Sequence, residues 1–338
     1  MRARAVPRLV IQLGVAVTTL AALAVPTLTF VYVRDRVQVG AQVSDLPEPP
    51  ALTPQQRDRY ASFSKGSASA MVVLGYHDVV KAERPAAAAP VRRVSVSAAN
   101  LAAQLRMLRL AGFESVSAAE VVKYVLNGAS LPRRSVMITF DGARVRDWTY
   151  ADRILDGYGY RATVFVDPTI VDTATKGTTL SWAQLRALVG SGRWSVGVLP
   201  SLLAAPVVVD ASGRKESGAL AHCWLADQRR TETTEEFKAR VHAELTRSRQ
   251  KIVDEGLPPP MLLSYPFQAG YPLDRVSPVF GELATAVQAL FSAGVLTSAT
   301  DEVSDAQWIG RRLLPRIEVY GSTTDELLFT RIRDGVRL

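Results

Sequence analysis

Cysteine is almost absent from this chain of 338 residues, and histidine occurs only three times. A lone Cys223 excludes an internal disulfide and any Cys-rich zinc module. An isolated thiol of this kind ordinarily serves as a small buried hydrophobe. The blocks of like charge that mark nucleic-acid-binding segments are also missing. The formal charge is +8, but the basic residues are spread along the chain. That is the pattern of a solvated surface, and no nucleic-acid partner is expected. Attraction to an anionic membrane surface or an acidic polymer stays open. An apolar fraction of 48% against 21% charged residues excludes wholesale disorder and fits an ordinary globular protein.

Long apolar runs are lacking as well, with one exception. After "MRARAVPR", which holds arginines and no acid, "LVIQLGVAVTTLAALAVPTLTFVYV" runs from Leu9 to Val33 without a charge. At about 1.5 Å per residue this stretch spans a hydrocarbon core of roughly 30 Å with some tilt. Arginines on the leading side predict a cytoplasmic segment 1–8, a membrane anchor over 9–33, and an exported remainder. The chain would then be a single-pass protein of the cell membrane with its C-terminal bulk outside the cytoplasm. A cleaved signal segment, with Ala22 and Ala24 forming an A-x-A site, is the competing reading and would make the protein secreted. Residues 34–70 are polar and proline-bearing and read as a flexible linker. Residues 71–338 read as one domain.

Within that domain, strand-like and helix-like segments alternate. "MVVLGYHD" is a short apolar run ending in polar residues. It is followed by "SAANLAAQLRMLRLAGF", with Leu101, Leu105, Leu108 and Ala111 on one helical face. "SAAEVVKYVLNG" carries the Ser117/Glu120 spacing of a capping box and a glycine stop. The strands "SVMITFD", "RATVFVD", "WSVGVL", "PMLLSYPF", "VLTS" and "RRLLPRIEVYG" follow, separated by helical patterns. Roughly seven such repeats predict an α/β fold with a parallel sheet, either open or closed into a barrel. The segment from Ala204 to Asp227 is irregular and is expected as a loop over the site or a surface insertion.

In these architectures chemistry gathers at the C-terminal ends of the strands. Those ends carry His77 and Asp78, Asp141, Asp167, Leu199, Tyr265 with Gln268, and Arg316 with Glu318. Any one of them alone is adequately explained as a strand-end cap or an ion pair. Together they put ionisable groups from several strands at one expected rim.

The same segments carry a family resemblance. "GYHDV" at 75–79, "ITFDGARVRDWTYADRILDGYGYRATVFV" from 138, "WSVGVLPSLL" from 194, "LLSYPFQAGY" from 262 and "LPRIEVYG" from 314 together resemble the polysaccharide deacetylase family. That family is also called the NodB-homology domain or carbohydrate esterase family 4. The resemblance covers about residues 71–330. It implies a distorted (β/α) barrel that removes acetyl groups from surface polysaccharides, with N-acetylglucosamine-type glycans as partners and an exopolysaccharide synthesis machine as a further one.

The family's chemistry uses a carboxylate base and a divalent ion, usually zinc, held by one aspartate and two histidines. The ion polarises the acetyl carbonyl and acidifies its bound water. Carried over by residue, the resemblance puts the base on Asp141. It puts the metal ligands on Gly142, Leu199 and Leu203, none of which offers a lone pair. Losing Lewis-acid assistance worth about 4 to 6 kcal/mol slows catalysis on the order of a thousandfold to ten-thousandfold. A degenerate member without a metal cofactor is therefore expected. Its glycan contacts would come from His77, Asp78, Trp148, Tyr265, Tyr271 and Arg316, with Tyr76 and Phe267 as further aromatics. The alternative is an active hydrolase that removes N-acetyl groups through a rearranged set of His77, Asp78, Asp141 and His222. His242 is expected mid-helix and solvated, and Asp147 as the N-terminal cap of the helix after the Asp141 strand.

Overall fold

The computed structural model describes residues 48–66, 70–82, 94–172, 178–265, 279–297 and 301–336. The apolar run 9–33 and the leading arginines lie outside these residues. Among the described residues no helix is long and apolar enough to cross a membrane.

Seven parallel strands close into a barrel. Taken around the ring they are β1 (Ala70–Tyr76), β5 (Arg134–Asp141), β6 (Ala162–Val166), β7 (Trp194–Val198), β12 (Leu262–Ser264), β13 (Ala293–Thr297) and β14 (Leu313–Glu318). Every neighbouring pair is parallel, and β14 returns to β1 through Leu74↔Ile317. The ring is distorted because β5 is long and shared. Its first half pairs with the two-residue β4 (Glu114–Ser115) and its second half with β6. Three two-stranded ribbons lie outside the ring: β2 (Asp78–Val80) with β3 (Ser95–Ser97), β8 (Pro206–Val208) with β9 (Lys215–Ser217), and β10 (Trp224–Leu225) with β11 (Arg230–Thr231). The β8–β9 ribbon and β10 fall in the expected irregular insertion and give it a backbone framework, with β11 just beyond its end.

Alternation along each strand decides what fills the barrel. Met71, Val73, Met137, Phe165, Leu262, Ala293, Val295 and Leu314 point inward and form one buried cluster. Val121 and Val122 of the helix Ala118–Asn127 join that cluster. Two interior positions carry no side chain because the space is already taken. A Cβ on Gly197 would lie 2.4 Å from the Phe165 ring, and one on Gly75 would lie 2.8 Å from Arg316 Nε. The barrel is therefore solid at the depth of Gly197 and holds a guanidinium at the depth of Gly75.

The expected linker 34–70 requires correction over its second half. Pro54–Lys65 forms helix α1, with Thr53 and Gln56 making a capping box and proline at the first turn. Tyr60 is fully buried, its ring 4.9 Å from Phe329, and its hydroxyl donates to Asp325 at 3.0 Å. Phe63 stacks on Phe113 at 6.0 Å and meets Phe329 edge-on at 5.6 Å. The Arg134 guanidinium, at the start of β5, lies 5.5 Å over the same ring. Polar composition and four prolines in 34–70 hid a helix whose buried side is made of isolated aromatics instead of an aliphatic stripe.

Because α1 is docked through Tyr60, Tyr60→Ala should cost about 3 kcal/mol of folding free energy. Urea unfolding of the wild type and the variant, followed by far-UV circular dichroism, measures that difference.

Candidate functional site

β5 delivers Asp141 to the C-terminal rim, inside the ring, where it is 7% exposed. β14 delivers Arg316 and Glu318, two residues apart on one face and equally buried. The guanidinium grips Asp141 with both prongs, Nη1 to Oδ1 at 2.9 Å and Nη2 to Oδ2 at 2.7 Å. Its Nε donates to Glu318 Oε1 at 2.7 Å. Ser264, at the end of β12, adds its hydroxyl to Asp141 Oδ2 at 3.4 Å and accepts from Arg316 Nη1 at 3.3 Å. The far oxygen of Glu318 meets His77 Nε2 at 2.7 Å. A chain of alternating charge thus runs Asp141, Arg316, Glu318, His77 from the barrel interior to the mouth.

Burial opposes the charge on Arg316, but Asp141 and then Glu318 more than offset it, so the guanidinium stays charged at any accessible pH. Burial also opposes a charged His77. The Glu318 hydrogen bond and charge, with help from Asp141, hold its pKa above the ordinary value. His77 is the open end of the chain, its side chain 24% exposed.

A second acidic group sits beside this chain. Asp78 accepts from Arg146 Nη1 at 2.9 Å and from Ser95 at 3.0 Å. Asp147 is fully buried and accepts the Arg144 backbone N–H at 2.9 Å. Burial, reinforced by the charges of Asp78 and Asp141, raises its pKa well above the ordinary aspartate value. Asp147 is therefore not the expected helix cap. It opens a single π-turn, Asp147–Ala151, and its carboxylate turns back to brace the preceding loop. Such π-bulges recur at functional sites.

Other expected site residues are placed differently. Trp148 is 2% exposed inside the π-turn. Tyr265 lies on the outward side of its strand, 3% exposed, wedged over Gly294 and 5.6 Å from Phe280. Neither ring offers an open face for a sugar. Arg316 is consumed by its two carboxylates. Tyr76 is fully buried and donates to Gln104 at 2.9 Å. Asp167 is buried and accepts from Thr169 N and Oγ1 at 2.9 and 2.6 Å. His222 is held away from these groups, against Glu232 O at 2.8 Å and Glu282 at 3.1 Å. His242 is on the long outer helix Thr234–Asp254, as expected. Tyr271, Phe267 and Gln268 lie outside the described residues. The pairing of Asp141 with Arg316 is what sequence reasoning missed. The signal was the Arg-x-Glu spacing on a barrel strand, which puts both side chains on one inward face.

The residues at the three positions implied for metal ligands do not fit a divalent ion. Gly142 contributes no donor, Leu199 packs against the barrel core, and Leu203 is 4% exposed in a 3-10 turn. Among the described residues no three His, Cys, Asp or Glu side chains converge in a manner suited to a cation.

Architecture and rim together define a distorted (β/α) barrel with its polar groups at the strand ends. The polysaccharide deacetylase family profile matches residues 128–274. The fold aligns with a de-N-acetylase from Aggregatibacter actinomycetemcomitans at TM-score 0.64 and 19% identity, over 77% of this chain and 99% of that one. It also aligns with the BpsB deacetylase domain from Bordetella bronchiseptica (TM-score 0.56, 19% identity, 74% and 95% covered). IcaB from Ammonifex degensii gives TM-score 0.54 at 18% identity, with 80% and 99% covered. No curated relative matches the chain in sequence. Residues 128–274 thus match the polysaccharide deacetylase family, and the barrel shares the fold of the solved deacetylases.

Three outcomes test the site. Arg316→Met leaves Asp141 and Glu318 buried without their counter-charge and should cost about 3 to 5 kcal/mol. Adding Asp141→Asn should recover part of that loss, which a double-mutant cycle in urea reads directly. For His77 the folded pKa lies above the unfolded one. Its contribution is then complete below the ordinary histidine value and disappears as pH rises through the folded value. Wild-type stability should therefore decline across that window, and His77→Gln should flatten the decline. Asp147 has the same sign, so Asp147→Asn should be neutral or stabilising near pH 7, measured as a change in Tm.

Proposed function

We propose that this protein is a polysaccharide-deacetylase-like barrel that engages a surface glycan without carrying out the family's metal-dependent hydrolysis. One observation carries the reading. The carboxylate at the base position is closed off by the two-pronged Arg316 pair, and the neighbouring ligand positions hold a glycine and two leucines. A base must have a lone pair aimed at its water, within hydrogen-bond reach. Here both Asp141 oxygens already accept charge-assisted bonds. The rearranged hydrolytic set is less well supported, because His222 is engaged by Glu282 and His77 by Glu318.

The apolar run 9–33 and its flanking arginines support a membrane anchor with the barrel outside the cytoplasm. That placement suits a protein working beside an exopolysaccharide synthesis machine. N-acetylglucosamine-type glycans follow from the family alone as the starting candidates.

The purified full chain should hold zinc well below one ion per molecule by elemental analysis after equilibration with the metal. It should release no acetate from an N-acetylglucosamine oligomer, while still retaining glycan in a binding assay. Stoichiometric zinc together with acetate release abolished by Asp141→Asn would refute the reading.

A further inference from the structure

The loop that follows β5 is held in a costly conformation. Gly142 has φ 93°, and Ala143, which has a side chain, has φ 49°. A non-glycine residue in the left-handed region costs about 1 kcal/mol or more and persists only where its surroundings enforce it. The surroundings do so here. Leu180 N donates to Ala143 O at 2.8 Å, Val145 N donates to Thr178 O at 3.2 Å, and Arg144 forms an antiparallel bridge with Thr179. The Asp147 carboxylate holds the Arg144 N–H from below.

What this frame presents is the Arg144 side chain, which is exposed at the rim. Its Nε donates to the backbone oxygen of His77 at 3.1 Å, tying the guanidinium to that residue. Its two terminal nitrogens have no hydrogen-bond partner among the described residues. No buried acid nearby forms an ion pair with it, although its charge favours the ionised form of Asp147. Asp141 and Glu318 are matched by Arg316 and His77, and Asp78 by Arg146. Burial opposes ionisation of Asp147. Among the described residues Arg144 is thus an exposed guanidinium at the mouth without an ion pair, tied to the backbone of the partly exposed His77.

The geometry points to a recognition site for the carboxylate of an acidic sugar, such as a uronic acid unit, formed by the terminal nitrogens of Arg144 with the outer edge of His77. This rests on the reading of the protein as a glycan binder and narrows its ligand class. A planar guanidinium fork matches a carboxylate in two parallel bonds, which a neutral N-acetyl or hydroxyl group does not provide.

The test compares binding of the full chain to an oligogalacturonate and to an N-acetylglucosamine oligomer of equal length, by titration calorimetry. The acidic oligomer should bind about tenfold more tightly, as expected for one exposed charge-assisted pair. Arg144→Ala should erase that preference, Arg144→Lys should keep part of it, and His77→Gln should weaken it. Arg57→Ala, which removes an exposed charge on α1, should leave it unchanged. Equal affinity for the two oligomers would overturn the inference while leaving the glycan-binding reading in place. So would a preference that survives Arg144→Ala, or one that falls equally in Arg57→Ala. Failure of either oligomer to bind would reject the binder reading itself.

Discussion

The interior of this barrel depends on one ion pair. Arg316 reaches across the ring from β14 to Asp141 on β5, passing over a β1 position kept clear by Gly75. Removing a carboxylate and a guanidinium from water costs several kcal/mol each. That cost is recovered only when the geometry is good and the remaining donors are satisfied. Both conditions hold, since Nε is taken by Glu318 and Nη1 also reaches Ser264. Three strands, β5, β12 and β14, are tied at one point inside the ring.

That arrangement changes what the missing ligands mean. Gly142, Leu199 and Leu203 could be read as a site that merely lacks donors. The Arg316 fork makes the neighbouring carboxylate part of a self-sufficient network with no remaining demand for a cation. On the proposed reading the reactive centre has become a structural one, and recognition falls to polar groups further out, on the loop after β5.

Much of this was legible in the sequence. Apolar strands alternating with capped helices gave a parallel α/β sheet, open or closed, the family resemblance implied the barrel, and "SVMITFD" was identified as the strand bearing Asp141. The capping box at Ser117/Glu120 follows from spacing alone, because a cap is a local interaction. Which way a strand-end side chain points was harder. Tyr265 and Trp148 look like rim aromatics in a string of letters, but one strand position decides whether a ring faces the mouth or the packed outer layer. The partner of Asp141 lies 175 residues away, and no periodicity announces it. The left-handed Ala143 was equally hidden, since alanine gives no sign of a strained backbone.

Helix α1 bears on where the folded unit begins. Its aromatics cover Phe113 and Phe329, which belong to the barrel's outer layer. Cutting the chain just ahead of β1, where composition suggests a boundary, would strip that cover and leave two greasy rings facing water. Such a fragment would be prone to self-association. An expression boundary drawn upstream of Thr53 keeps the cap with the body it seals.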